Sequence, residues 1–204
     1  IGDGSVSNWE VFQFGDADLV AEDTYDISRR LRGQAGTDFL SNAWPAGSVF
    51  VLLEGTPEQI DLASAARGVT QHYRYGPGTR PLSDASYQYR EEVFSGAGLR
   101  PYPVAHLRQS LDDGARQISW IRRTRVGGDS WDAEDVHFSE AQERYALKVY
   151  REGVLVRSLS LNSPAWTYTA AMQTADGAGE MRVEVAQVSD TYGEGPSRSI
   201  SWAA

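Results

Sequence analysis

Apolar residues recur with a period of two through the second half of this chain, and helical periodicity is scarce throughout. Side chains alternate between faces along a strand, so that period commits the chain to β structure. Tyr145, Leu147 and Val149 alternate with Ala146, Lys148 and Tyr150, and Met181, Val183 and Val185 alternate with Arg182, Glu184 and Ala186. Gln117 to Arg125 reads as another strand, with Ile118, Trp120 and Thr124 on one side and Ser119, Ile121 and Arg123 on the other. Glu152-Gly153 supplies a hairpin turn into Val154–Leu161. Trp166 and Tyr168 form a short strand, and Ile200 and Trp202 share a face of the last one. Turn signals about every 8–12 residues match the spacing of a small β-sandwich.

The first half is less regular. Trp9, Val11 and Gln13 alternate with Glu10, Phe12 and Phe14, and Tyr25 and Ile27 lead into Arg29. Val69, Gln71, Tyr73 and Tyr75 alternate with Thr70, His72 and Arg74 until Gly76-Pro77-Gly78 stops the strand. Val49 to Leu53 is a continuous apolar run, the pattern of a strand buried on both faces. Pro57 to Ala66 fits a short helix with Thr56 as its cap, although Ile60 and Leu62 fit a strand equally well. Pro101 and Pro103 favour an extended connector. The expected division is therefore residues 1–104 and residues 105–204.

Composition narrows the function classes. The formal charge is −9. Acidic and basic residues number 14 and 8 before His106, then 14 and 11 after it. Neither half is a basic module, so no nucleic-acid partner is expected. The absence of cysteine excludes disulfides, thiolate nucleophiles and Cys-based metal sites. No apolar run approaches the ~20 residues that span a bilayer, so no membrane insertion is expected. The sequence starts at Ile1 and carries no signal peptide, which points to a piece of a longer polypeptide. Lys148 is the only lysine.

Two resemblances follow from particular segments. Residues from about Ala105 onward resemble a fibronectin type III domain. Trp120 occupies the place of its core Trp, and Val183 to Ser197 is similar to its penultimate strand, Gly turn and Gly-Pro-Ser entry to the final strand. The position two before Val183, where the family carries a corner Tyr, is Met181, so packing alone is expected to hold that corner. The expected fold class is thus all-β, with an irregular β domain followed by a fibronectin type III-like sandwich.

The second resemblance rests on five segments in order: Trp9–Phe14, Tyr25–Thr37, Tyr73–Pro77, Leu99–Leu107 and Ser119–Trp131. Together they resemble the C-terminal part of the host-specificity, or megatron, protein of gene transfer agents and related siphophage tails. Arg30 and Ala35 depart from that pattern. The resemblance implies a structural tail-tip or baseplate component, assembled in the bacterial cytoplasm and released in a phage-like particle. Its implied partners are other copies of itself, usually three, and other tail proteins, with host surface polysaccharide as a further partner. The alternative is a carbohydrate-binding module that takes capsule or lipopolysaccharide directly. The glycosidase-like barrel of longer members lies upstream of the matching segment, so its activity does not carry over.

Several residues are candidates for an interaction surface. Arg122, Arg123 and Arg125 fit a dock for an acidic partner or anionic envelope sugars, since guanidinium groups offer planar bidentate donors. The stronger reading is local neutralisation of Asp129, Asp132, Glu134 and Asp135. Gly33 and Gly36 are expected to provide turn geometry rather than a site beside Arg29, Arg30 and Arg32. Trp9, Phe12, Phe14, Trp44, Tyr73, Tyr75, Tyr87 and Tyr89 crowd the first half, and period-two strands cannot bury all of them on one face. With Trp131 they are expected at subunit interfaces, or as platforms for sugar rings. The carboxylates of Asp129–Asp135 lack EF-hand spacing, and His72, His106 and His137 form no metal or hydrolase motif. No catalytic residue, metal or cofactor is expected, and the chain is not expected to be an enzyme.

Overall fold

The computed structural model describes every residue except Val6, Ser41, Asn42, Thr56, residues 129–135 and Ala204. The fold is all-β. The strands are β1 (Val11–Gln13), β2 (Asp16–Ala21), β3 (Thr24–Ser28), β4 (Leu31–Gln34), β5 (Thr70–Tyr75), β6 (Gln88–Val93), β7 (Ala105–Asp112), β8 (Ala115–Ile121), β9 (Tyr145–Arg151), β10 (Val154–Leu161) and β11 (Ala165–Tyr168). After α1 (Ala170–Asp176) come β12 (Glu180–Ser189), β13 (Gly193–Glu194) and β14 (Arg198–Ala203).

Strands β7 to β14 make an antiparallel β-sandwich of two sheets. One sheet runs β11-β8-β7, and the other runs β10-β9-β12, with β14 and β13 also paired to β12. All pairings are antiparallel. Ile118, Trp120 and Tyr168 from the first sheet meet Tyr145, Leu147, Val149, Met181, Val183 and Val185 from the second in one buried core. Trp120 stacks edge-on against Tyr145 with ring centroids 5.1 Å apart. The outward residues Ser119 and Ile121 are exposed, as the alternation requires. Two tight hairpins set the registers. Asp113-Gly114 and Glu152-Gly153 both have positive φ, the geometry of a two-residue turn that follows strand twist.

The crossing from β11 to β12 differs from expectation. It is held by polar contacts as well as packing. The Tyr168 hydroxyl donates to Asp176 Oδ2 at 2.6 Å, and Arg157 Nε donates to the same oxygen at 2.5 Å. The helix α1 in this crossing was hidden by its brevity. Thr169 caps it, accepting from Met172 N, and Gly177 ends it at φ 82°.

By contacts the chain forms two compact units, residues 1–51 with 100–204, and residues 52–99. The expected seam at residue 104 falls inside the first unit. The physical reason is a set of ties between residues 1–51 and the sandwich. Asp38 accepts from Arg123 and pairs with Arg198, and Gly36 sits against the Tyr102 ring.

In residues 1–51, β1 pairs with β4 and β2 pairs with β3. Glu10 anchors this part, although it is a buried carboxylate at 1 % exposure. Arg32 grips it with Nε at 2.9 Å and Nη2 at 2.5 Å, while Gly33 N and Trp44 Nε1 donate at 3.1 and 2.6 Å. A buried charge persists only when it is paired and hydrogen-bonded in this way. The run Val49 to Leu53 corrects the expectation of a strand buried on both faces. Val49 makes an isolated bridge to Gly2, none of the five residues belongs to a strand, and all five are exposed. Phe50 alone joins a ring cluster, 5.9 Å from Phe12 and 6.5 Å from Phe14.

The second unit is built on the hairpin β5–β6. Residues 57–63 form no helix, and a single 3-10 turn covers Ser64–Ala66. None of the unit's described residues is buried.

Candidate interaction surfaces

The sandwich and residues 1–51 bring the arginine cluster together, but not as a free basic patch. Arg122 leaves the end of β8, donates through Nη2 to Val136 O at 2.9 Å, and lies over the Phe138 ring at 4.0 Å. Arg125 pairs with Glu140 at 3.1 Å and covers Tyr192 at 4.9 Å. Arg123 donates to Asp38 Oδ1 at 2.9 Å and lies 5.3 Å from the Tyr102 ring. The neutralising carboxylates described here are thus Asp38 and Glu140. Asp129, Asp132, Glu134, Asp135 and the candidate Trp131 lie outside the described residues. Among the described residues, no group of three or more His, Asp or Glu is placed to hold a metal ion.

Backbone alignment around Arg123 comes from Gln187, which is 6 % exposed. Its Oε1 accepts from Arg123 N at 2.8 Å. Its Nε2 donates to Arg123 O at 2.8 Å and to Tyr102 O at 2.9 Å. That buried amide therefore fixes β12, the Pro101–Pro103 segment and Arg123 to one another.

The aromatic candidates separate by environment. Trp44 is committed to Glu10, and Trp9 donates its indole N–H to Ser5 O. Tyr73 meets Phe94 edge-on at 6.2 Å. Tyr75 is exposed, and so is Tyr89, whose hydroxyl donates to Glu91 at 2.6 Å and so accepts from His72 Nδ1 at 2.6 Å. Tyr87 instead shapes a turn. Its ring closes on Gly76, and its hydroxyl donates to Pro77 O at 3.1 Å. Gly33 and Gly36 have φ of 67° and 76°. A Cβ at Gly33 would lie 2.6 Å from Asp38 Cα, so this turn lets Asp38 approach.

One pocket was not legible from the sequence. It has a volume of about 400 Å³ and is lined by Asp38, Val104, Ala105, His106, Leu107, Arg123, Arg198 and Ser199. Asp38 carries Arg123 on one oxygen and Arg198 on the other. His106 sits on a bulge of β7, where the register shifts between Ala105 and Arg108, and has φ 49°. Its lining residues come from four separate parts of the chain, so no local motif marks them. The constrained turn at Gly33 is the nearest sequence signal.

Residues 1–51 match the family model described as Rcc01698-like, C-terminal. No curated protein matches the chain. Among solved structures, the chain is similar to domains d3–d4 of the rat CD45 extracellular region. That match has 12 % identity and a TM-score of 0.39, and covers 93 % of this chain and 94 % of the other. It is also similar to the Clostridium perfringens spore cortex lytic enzyme SleM, at 8 % identity and a TM-score of 0.33, covering 52 % of this chain and 29 % of that one. Overlaps this loose leave the description of the sandwich to rest on its own strand pairing.

Proposed function

We propose that this chain is a structural piece of a phage-like tail tip. It assembles with copies of itself and with other tail proteins, and it helps present the tip to a host cell surface. The observation that carries this reading is the match of residues 1–51 to the Rcc01698-like C-terminal model, a name tied to gene transfer agents. Two of the five ordered tail-tip segments, Trp9–Phe14 and Tyr25–Thr37, fall inside the matched residues. Internal use of the arginine cluster supports a scaffold, since Arg122, Arg123 and Arg125 all have partners within the chain. Exposed aromatic and apolar side chains of residues 52–99 support an assembly surface. Assembly would take place in the bacterial cytoplasm, before release of the particle.

The rival reading, direct binding of capsule or lipopolysaccharide through an aromatic platform, calls for an exposed coplanar Trp/Tyr pair. Trp166 and Tyr168 stack at 5.1 Å and 23°, but Tyr168 is buried at 1 % exposure, so this pair is not such a platform. The test is a pull-down of purified tail proteins with the folded chain, run beside binding to intact host cells. Capture of tail proteins without cell binding supports the scaffold. Saturable cell binding that is lost on stripping capsule or lipopolysaccharide, without tail-protein capture, supports the rival.

A further inference from the structure

We propose that the pocket between Asp38, His106, Arg123 and Arg198 is a binding site for a carboxylate-bearing sugar, a ring of the hexuronic acid class. This inference stands apart from the tail-tip reading, because the pocket's chemistry is the same in any assembly.

Asp38 acts as an internal spacer. One oxygen takes Arg123 Nη1 at 2.9 Å and the other takes Arg198 Nη2. Each guanidinium carries five N–H donors in a rigid fork, so binding Asp38 orients it without exhausting it. The three side chains are each roughly one-third exposed, with values of 30 %, 38 % and 29 % for Arg123, Arg198 and Asp38. They are therefore ordered by one another and still reachable. Two guanidiniums against one carboxylate leave a single positive charge. That balance suits a monoanion, and the planar fork matches a planar carboxylate in bidentate fashion.

The other walls fit the rest of a sugar ring. Ser199 and His106 offer hydrogen-bonding groups for ring hydroxyls, while the partly buried Ala105 and Leu107 give the lining an apolar part. The volume of about 400 Å³ lies near the lower end for small-ligand pockets, which run from about 300 to 1,000 Å³. An extended acidic peptide would use little of this space beyond one carboxylate.

His106 gives the site a second, independent mark. A histidine at φ 49° is in the left-handed region, where a side chain with a Cβ is disfavoured. The bulge that creates this geometry turns β7 at the pocket wall. Bulges and left-handed non-glycine residues concentrate where a side chain must be re-aimed for function.

The experiment is an NMR titration of the isotopically labelled chain with D-glucuronate, with D-glucose and inorganic phosphate as parallel arms. Saturable shifts at Arg123, Arg198 and His106 with glucuronate alone are expected. Two variants separate binding from folding. His106→Gly removes the imidazole and relaxes the left-handed backbone, so it should melt no lower than the parent and bind glucuronate about tenfold more weakly. Arg198→Lys keeps the charge but loses the fork, and should weaken binding by about tenfold as well. The proposal is overturned if glucuronate produces no saturable shifts. It is also overturned if phosphate or glucose does as well as glucuronate, or if both variants bind like the parent.

Discussion

Tyr168 and Asp176 are eight residues apart, and a 2.6 Å hydrogen bond from the Tyr168 hydroxyl to Asp176 Oδ2 joins the two ends of the crossing between the sheets. Asp176 also accepts from Arg157 Nε at 2.5 Å, and Arg151 donates to the Asp176 backbone carbonyl at 2.8 Å. One carboxylate thus ties β10, β11 and α1 together. It does the work that a corner Tyr would do from position 181, where this chain has Met181, packed in the core.

Tyr168→Phe should therefore lower stability by about 2 kcal/mol, the scale of a buried hydrogen bond to a charged group. Urea denaturation followed by tryptophan fluorescence checks this. A midpoint unchanged with an unchanged slope would mean that packing alone holds the crossing.

Glu10 carries a larger load. Removing its charge by Glu10→Gln leaves Arg32 facing a neutral amide beside Trp44, and should cost about 3 kcal/mol, the low end for a broken buried pair because Arg32 is one-third exposed. The Trp44 signal should report the change, since its indole N–H donates to Glu10. A loss under about 0.5 kcal/mol would place this pair among exposed ones.

Acid should act through the same two carboxylates. Burial pushes the Glu10 carboxyl up, but hydrogen bonds from Arg32, Trp44 and Gly33 outweigh it and hold the group below its ordinary value of 4.5. Asp176 follows the same pattern, with burial opposed by Arg157 and Tyr168, and lies below 3.8. Both folded values are depressed, so this stability is present above the unfolded values and lost as pH falls through the folded ones. The melting temperature should drop below about pH 4, and Glu10→Gln should flatten part of that drop. Equal acid sensitivity in parent and variant would remove Glu10 from the account.

The sandwich was legible because each strand there has one wet face, and alternation records that directly. Ile118 and Trp120 against Ser119 and Ile121 is the plainest instance. The run Val49–Leu53 misled for the opposite reason. A continuous apolar stretch carries no phase, and it reads the same whether buried in a sheet or left on a surface. The seven-residue helix α1 is too short to set up a period, so only Thr169 and Gly177 announce it. The pocket was invisible because Asp38, His106, Arg123 and Arg198 meet only after the chain has folded. Arginines adjacent in sequence, such as Arg122 and Arg123, part to different partners.

Two glycines separate conformational strain from crowding. At Gly153, φ is 78° and nothing lies within 4 Å of an added Cβ, so Gly153→Ala should cost only about 1 kcal/mol for the left-handed backbone. At Gly36, φ is 76° and the added Cβ would lie 2.2 Å from the Tyr102 ring. Gly36→Ala should cost clearly more, about 3 kcal/mol, because overpacking adds to strain. Paired denaturation curves decide it, and equal losses would mean that Tyr102 yields freely.

The last expectation concerns residues 52–99. A two-stranded hairpin without a packed face is marginal in water, and no described residue of this unit is buried. Leu53, Leu82, Tyr75, Tyr89 and Val93 are all exposed. Amides of β5 and β6 should therefore exchange with deuterium far faster than those of β9 and β12, whose residues Leu147, Val149, Val183 and Val185 are fully buried. If the tail-tip reading holds, adding the partner tail proteins should slow exchange in β5 and β6 while leaving β9 and β12 unchanged. Hairpin amides as protected as the sandwich in the lone chain would show that the unit needs no partner, and would remove the exposed surface as support for assembly.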